Sequence, residues 1–292
     1  MNQPLEGIIL GSGASKPSKY RNPSAIYLKI PGFNLLLDCG EGTQKQIISR
    51  QNLTFMVDAI FISHHHMDHV YGLKSYLHTM NLLGRVTSIK IYTPDEKALK
   101  SQLGNKKYDF PLEILEVKPG LQLTQNNVKL KFFRSNHGPV PALGILVQSE
   151  RTVKYDKEKL NQTLKPDQVK KLFKDGGFIK GGFNHKPEDF IAADQPFYSL
   201  YYSGDTTWND EILKLPLNCK ILHECTYVRE VDLKEARKTY HTHLLDLPLE
   251  FLSRPGKIIL THLGDRVIPE DLKNVKLPPE STWAYDGLIF NF

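Results

Sequence analysis

The chain has 292 residues, 40% hydrophobic and 24% charged, enough apolar material for one large domain or two modest ones, which excludes a disordered or fibrous protein. A formal net charge of +6 and a sequence pI near 9.0 suit polyanionic partners wherever the excess is clustered. Cys39, Cys219 and Cys225 are too few for a disulfide-stapled secreted protein, and no basic leader or run of roughly 18 apolar residues is present, so the chain reads as soluble and cytoplasmic.

In chain order, Ile8 to Leu10 read as a strand entering the small-residue turn Gly11-Ser12-Gly13-Ala14-Ser15, which by itself is either a tight connection or a weak phosphate-binding signal. Pro17 to Ser24 places Lys19 and Arg21 in a loop before the alternating strand Ile26 to Ile30, and two cations there are equally a solvated basic loop. Leu35-Leu36-Leu37 is a buried strand ending in Asp38, which could cap the helical stretch Gln44 to Ser49.

The densest chemistry follows Ala59 to Ile62, a buried strand by length and composition that runs into His64-His65-His66-Met67-Asp68-His69. His64 and His66, in alternate positions, can converge on one cation while His65 faces elsewhere. Asp68 and His69 diverge enough to reach a second cation nearby. Four ligand-type residues in six positions point to a two-metal site rather than a solvated loop.

Leu73 to Leu83 predict a helix whose His78 is structural or at the surface. Thr87 to Tyr92, Leu112 to Val117, Val128 to Phe133 and Leu143 to Val147 read as strands, with His137 in the loop before the last. Residues 150–196 depart from the pattern. Between Arg151 and Lys180 there are nine Lys or Arg against four Asp or Glu, with few apolar positions, which reads as an inserted arm rather than core.

Phe197 to Tyr202, Lys220 to Leu222 and Lys257 to Leu260 are the remaining clear strands. They deliver Ser203-Gly204-Asp205-Thr206, His223-Glu224-Cys225-Thr226-Tyr227 and Thr261-His262-Leu263-Gly264-Asp265-Arg266. A charged helical stretch from Val231 to Lys238 precedes His241-Thr242-His243.

The His-x-His-x-Asp-His run at 64–69 resembles the signature of the metallo-β-lactamase superfamily. Pro17-x-Lys19-x-Arg21-Asn22, Ser203-Gly204-Asp205-Thr206 and His223-Glu224-Cys225-Thr226-Tyr227 resemble motifs of its transfer-RNA 3′-processing endonucleases, the ribonuclease Z family, and the resemblance covers almost the whole chain outside the arm. It implies an αββα sandwich, an α+β fold in one domain over 1–292, with the arm at 150–196 as an RNA-binding exosite.

The resemblance also implies that His64, His66 and His137 hold one zinc ion, that Asp68, His69 and His262 hold another, and that Asp205 bridges them. Asp38 and His223 would orient these ligands from behind. Nitrogen and oxygen donors suit zinc, and manganese or iron would fit the same donor types. The implied activity is phosphodiester hydrolysis with Asp68 in the catalytic machinery and Glu224 paired with His241, or with its rival His243, protonating the departing 3′ oxygen.

Precursor tRNA, or another RNA or phosphodiester, would be the substrate, held by Lys19, Arg21, Lys165, Lys170, Lys171 and Arg266, and the implied assembly is a homodimer. The family's arm carries a Gly-Pro motif that is missing around Leu164 to Leu172. That departure keeps open an alternative, a hydrolase of small-molecule phosphodiesters or lactones.

Overall fold

The computed structural model describes residues 5–50, 56–149, 155–190 and 198–292, so both ends of the expected arm, 150–154 and 191–196, lie outside the described residues. Two compact units emerge, one formed by Met1–Gln148 with Tyr198–Phe292 and one by Ser149–Phe197.

Two seven-stranded sheets make the larger unit. The first joins β1 (Glu6–Gly11), β2 (Ala25–Lys29), β3 (Leu35–Leu37), β4 (Ala59–Phe61), β5 (Ile89–Thr93) and β6 (Leu112–Glu116) in chain order, with β16 (Ile289–Asn291) outside β1. The second runs β7 (Gln122–Gln125), β8 (Val128–Arg134), β9 (Leu143–Ser149), β12 (Ser199–Tyr202), β13 (Lys220–Glu224), β14 (Ile258–Thr261) and β15 (Ser281–Trp283). Strands β3 to β6 pair in parallel, as do β12 to β15, which sends the carboxyl ends within each set to one edge. At that edge Leu143 N–H donates to Ser63 O across the two sheets, at 2.9 Å.

Alternation along each strand builds the layers. Leu35, Leu37, Ala59 and Phe61 pack against Ile145, Tyr202, Leu222 and Ile259 between the sheets. Leu36, Ile60 and Ile62 face the other way, onto Val70, Leu73, Tyr76 and Leu77 of the helix Met67–Leu82. On the second sheet Leu146, Tyr201, Ile221 and Leu260 turn outward to Phe251 and Leu252. The result is the αββα sandwich, and strands buried on both faces explain why they read as unbroken apolar runs.

Three differences from the sequence reading have physical causes. The helix begins at Met67, not Leu73, because its first turn carries polar side chains drawn to the site rather than an apolar stripe, and Asp68 there also suits the positive helix end. Strands β7, β15 and β16 have only three or four residues each, too short for a periodic signal.

The smaller unit is more ordered than its charge implied. It holds helices Lys157–Thr163 and Pro166–Asp175 and the hairpin of β10 (Phe178–Lys180) with β11 (Phe183–His185). Its own apolar cluster is Leu160, Leu164, Leu172 and Phe190.

Gly72 decides how the helix Met67–Leu82 docks. A Cβ there would lie 1.9 Å from Gly40 O. With none, Gly72 N–H donates to Cys39 O and Cys39 N–H to His69 O, at 2.9 and 2.8 Å, which seats His69 over the end of β3.

Candidate metal centre

Strand ends deliver most of the expected ligands to one edge. Asp38 follows β3, His64 and His66 follow β4, His137 follows β8, Asp205 follows β12 and His262 follows β14, while Asp68 and His69 sit in the first turn of the adjoining helix. They gather as His64, His66, His137 and Asp205, and as Asp68, His69 and His262, each set with donor atoms within 4.8 Å of one another. All but His66 are buried.

Asp205 faces both sets with different atoms. Its Oδ2 lies 3.5 Å from His64 Nε2, and its Oδ1 lies 3.4 Å from both His69 Nε2 and His262 Nε2. Elsewhere the spacings are 3.2 Å for His137 Nε2 to His66 Nδ1, 3.1 Å for His69 Nε2 to His262 Nε2 and 3.2 Å for Asp68 Oδ2 to His262 Nε2. A tetrahedral cation bound at about 2.0–2.1 Å requires donor edges of roughly 3.3–3.4 Å, so these spacings fit.

The hydrogen bonds behind the donors leave lone pairs facing inward. His69 Nδ1 is 2.7 Å from Asp38 Oδ2 and His137 Nδ1 is 3.0 Å from Tyr240 O, two partners that can only accept, so each Nδ1 carries the hydrogen. Thr226 Oγ1 donates its hydrogen to Glu224 Oε2, so the hydroxyl oxygen of Thr226 accepts from His262 Nδ1 at 2.9 Å. With a hydrogen on each Nδ1, the facing Nε2 atoms of His69 and His262, 3.1 Å apart, need a proton or a cation between them. His64 Nε2 and Asp205 Oδ1, both buried, likewise have no hydrogen-bond partner among the described residues.

Charge points the same way. Burial works to lower the His69 imidazole, but Asp205, Asp38 and Asp68 outweigh it and raise it well above the ordinary range. Burial works to raise Asp205, yet His262, His69 and His64 hold it well below the usual carboxylate range. Three carboxylates enclosed together require positive charge, and divalent cations supply it.

Asp38 is held at φ 56 and accepts from Ser63 N–H, Ser63 Oγ and Tyr202 Oη at 2.7, 2.8 and 2.7 Å. Those bonds fix the carboxylate that orients His69. Asp68 Oδ2 accepts from Ser15 N–H at 2.6 Å, so the small-residue turn after β1 positions a ligand instead of cradling phosphate. Ser15, Ser63, Tyr202, Thr226 and Tyr240 escaped the sequence reading, because backbone donors, carbonyls and lone hydroxyls have no periodic signature.

Beside the cluster, His241 Nδ1 lies 2.9 Å from Glu224 Oε1, and the imidazole stays 15% exposed where the carboxylate is 1% exposed. Glu224 also accepts from Thr206 N–H and Thr226 N–H. Burial works to lower His241, but Glu224 and then Asp205 and Asp68 push it up to about 9. The rival His243 is elsewhere. It is fully buried, with Nε2 at 3.0 Å from Arg229 O and Nδ1 accepting from Leu245 N–H.

Two assignments need correction. His223 alternates with Glu224 along β13, so it faces Trp208 and Phe251 on the outer side of the sheet and orients none of the ligands. Arg21 is 7% exposed and its Nη1 donates to Val267 O at 2.5 Å, so it ties two loops together and offers no free cation to a substrate. Lys19, Arg266, Lys165, Lys170 and Lys171 are exposed.

A solved structure, the short form of human tRNase Z, has the same fold at a TM-score of 0.67 and 21% identity, covering 98% of each chain. Layers and donor set together define a metallo-β-lactamase-fold hydrolase that depends on divalent metal. Residues 5–186 match the family model described as Anti-Pycsar protein Apyc1. Ribonuclease Z of Methanococcus maripaludis is 33% identical over 272 residues, 88% of this chain and 86% of the relative, and that of Bacillus subtilis is 30% identical over 306 residues, 98% and 99%. The chain belongs to the family of ribonuclease Z and Apyc1.

Proposed function

We infer that this protein is a zinc-dependent endoribonuclease that removes the 3′ trailer from precursor tRNA. The observation that carries the reading is the Glu224–His241 pair, 2.9 Å apart and set beside the two donor sets. A readily leaving group has no need of a buried carboxylate raising an adjacent imidazole, whereas a ribose 3′ oxygen does.

His64, His66 and His137 would hold one zinc, Asp68, His69 and His262 the other, with one Asp205 oxygen for each. When bound, two such ions ionise water near neutral pH and offset charge developing on the phosphate. The residues supply the rest. Glu224 keeps Nδ1 of His241 protonated and directs the ring's other nitrogen toward the substrate side. As the water oxygen bonds to phosphorus and the phosphorus–O3′ bond breaks, the 3′ oxygen takes the proton from His241.

Exposed Lys19, Arg266, Lys165, Lys170 and Lys171 would neutralise RNA phosphates, the last three from the arm unit acting as an exosite. We place the enzyme in the cytoplasm as a homodimer. Its three buried free cysteines suit a reducing compartment, and no helix among the described residues is long and apolar enough to cross a membrane.

The test is incubation with precursor tRNA beside a nitrophenyl phosphodiester. Release of an intact trailer at low enzyme supports the reading. Rapid hydrolysis of the small ester with no trailer release would transfer it to the small-molecule phosphodiesterase, the alternative favoured by the arm's missing Gly-Pro.

A further inference from the structure

Asp286 lies 24 residues beyond His262 in the sequence, and its carboxylate is the meeting point of two loops. Oδ1 accepts from Ser12 N–H at 2.9 Å and from Ser12 Oγ at 2.8 Å. Oδ2 accepts from Asn22 N–H at 2.7 Å and from Asn22 Nδ2 at 2.6 Å. Four donors on two oxygens use the full acceptor capacity of a carboxylate, and no neutral side chain of that size matches it.

The segment carrying Asp286 is itself anchored to both sheets. Ala284 N–H donates to Leu260 O on β14 at 2.8 Å, and Gly287 N–H donates to Ile9 O on β1 at 2.7 Å. Asp286 therefore holds Ser12 against a frame that does not shift independently.

What Ser12 and its turn then touch is specific. Leu263 N–H donates to Ser12 O at 2.9 Å and Ala14 N–H donates to Leu263 O at 3.0 Å, clamping the residue directly after His262. Ser15 N–H, at the end of the same turn, donates to Asp68 at 2.6 Å. Both contacts lead to one donor set, Asp68 with His69 and His262. His64, His66 and His137 receive none of them; His64 is oriented through Ser63 and His137 through Tyr240.

We propose that Asp286 is a positioning residue for the cation site of Asp68, His69 and His262 alone, and that it joins this site to the Lys19 loop through Asn22. This rests on the two-cation reading of the centre. Loss of a group that orients ligands from behind weakens metal affinity by about 10-fold to 100-fold, and here the loss is confined to one ion of the pair.

The experiment compares the zinc-loaded wild-type protein with Asp286→Asn, Asp286→Ala and Ser12→Ala. Each is dialysed against a chelator of graded strength, counted by elemental analysis and crystallised for anomalous zinc occupancy at the two positions. In Asp286→Asn an amide NH2 would face two donors, so one loop must separate. The expected result is that both Asp286 variants lose the ion at Asp68, His69 and His262 at about 10-fold to 100-fold lower chelator strength, with the other ion retained as in wild type.

Ser12→Ala removes a single hydroxyl donor and should shift the same ion in the same direction by less, which preserves the test if Asp286→Ala does not fold. Equal loss from both positions would mark a general weakening of the fold and overturn the proposal, as would unchanged occupancy in all three variants. A wild-type protein with no zinc at either position would instead sink the two-cation reading itself.

Discussion

Asp205 offers one oxygen to each donor set, so a single side chain bears on the whole centre. Asp205→Ala should lower zinc content from about two ions per chain to one or none by elemental analysis, with activity falling in parallel. Glu224→Gln and His241→Ala should retain zinc and most activity on a nitrophenyl diester, while slowing cleavage of RNA by about 10²-fold to 10⁴-fold. The pH dependence follows from the sign of the His241 shift, raised from 6.5 to about 9. A proton donor at His241 would be present at low pH and lost as pH rises. Zinc would cancel the Asp205 and Asp68 contributions and leave that of Glu224, so RNA cleavage should fall between pH 6.5 and about 9, with no matching fall for the nitrophenyl ester. His243→Ala should behave differently. Losing a buried imidazole bonded at both nitrogens should cost about 1–3 kcal/mol in thermal unfolding with no discrimination between leaving groups.

At the scale of elements, the centre depends on how closely a helix and two strand ends approach. Gly204 adopts φ +58 at the turn after β12, and a Cβ would lie 2.7 Å from Leu143 O and 2.9 Å from Ser63 Cβ. Gly72 allows the helix Met67–Leu82 to rest on the turn after β3. Gly204→Ala and Gly72→Ala should each destabilise by about 2–4 kcal/mol in urea unfolding, from overpacking with, for Gly204, an added left-handed penalty. Both should also weaken zinc binding, since Asp205 and His69 are delivered by these turns.

For the whole molecule, the excess charge of +6 matters only where it is gathered, and within the unit Ser149–Phe197 the stretch from Arg151 to Lys180 gathers nine Lys or Arg against four Asp or Glu. Replacing Lys165, Lys170 and Lys171 with alanine should weaken RNA binding and reduce the slope of log affinity against log salt by about 2, the value for three lost phosphate contacts. Hydrolysis of a small diester should stay within about 2-fold of wild type, because phosphate contacts position a substrate and do not alter the reacting atoms.

Several features were fully local and so were readable from sequence. Leu35 to Leu37 and Ala59 to Phe61 form strands because they are apolar at every position, which only burial on both faces satisfies. Four ligands lie within six consecutive residues after a strand, where the end of β4 and the first helical turn supply their divergence. Other features were decided by residues that meet only after folding. His241 is chosen over His243 by its 2.9 Å approach to Glu224, a contact spanning 17 residues. Arg21 is withdrawn from the substrate by Val267, 246 residues away. Strand alternation turned His223 outward, though its motif placed it next to Glu224. Asp286 acquires its four donors across separations of 274 and 264 residues. Periodicity and motif spacing report what neighbours along the chain can do together, whereas hydrogen bonds across such distances depend on the packing of the sheets, and the tertiary structure alone determines them.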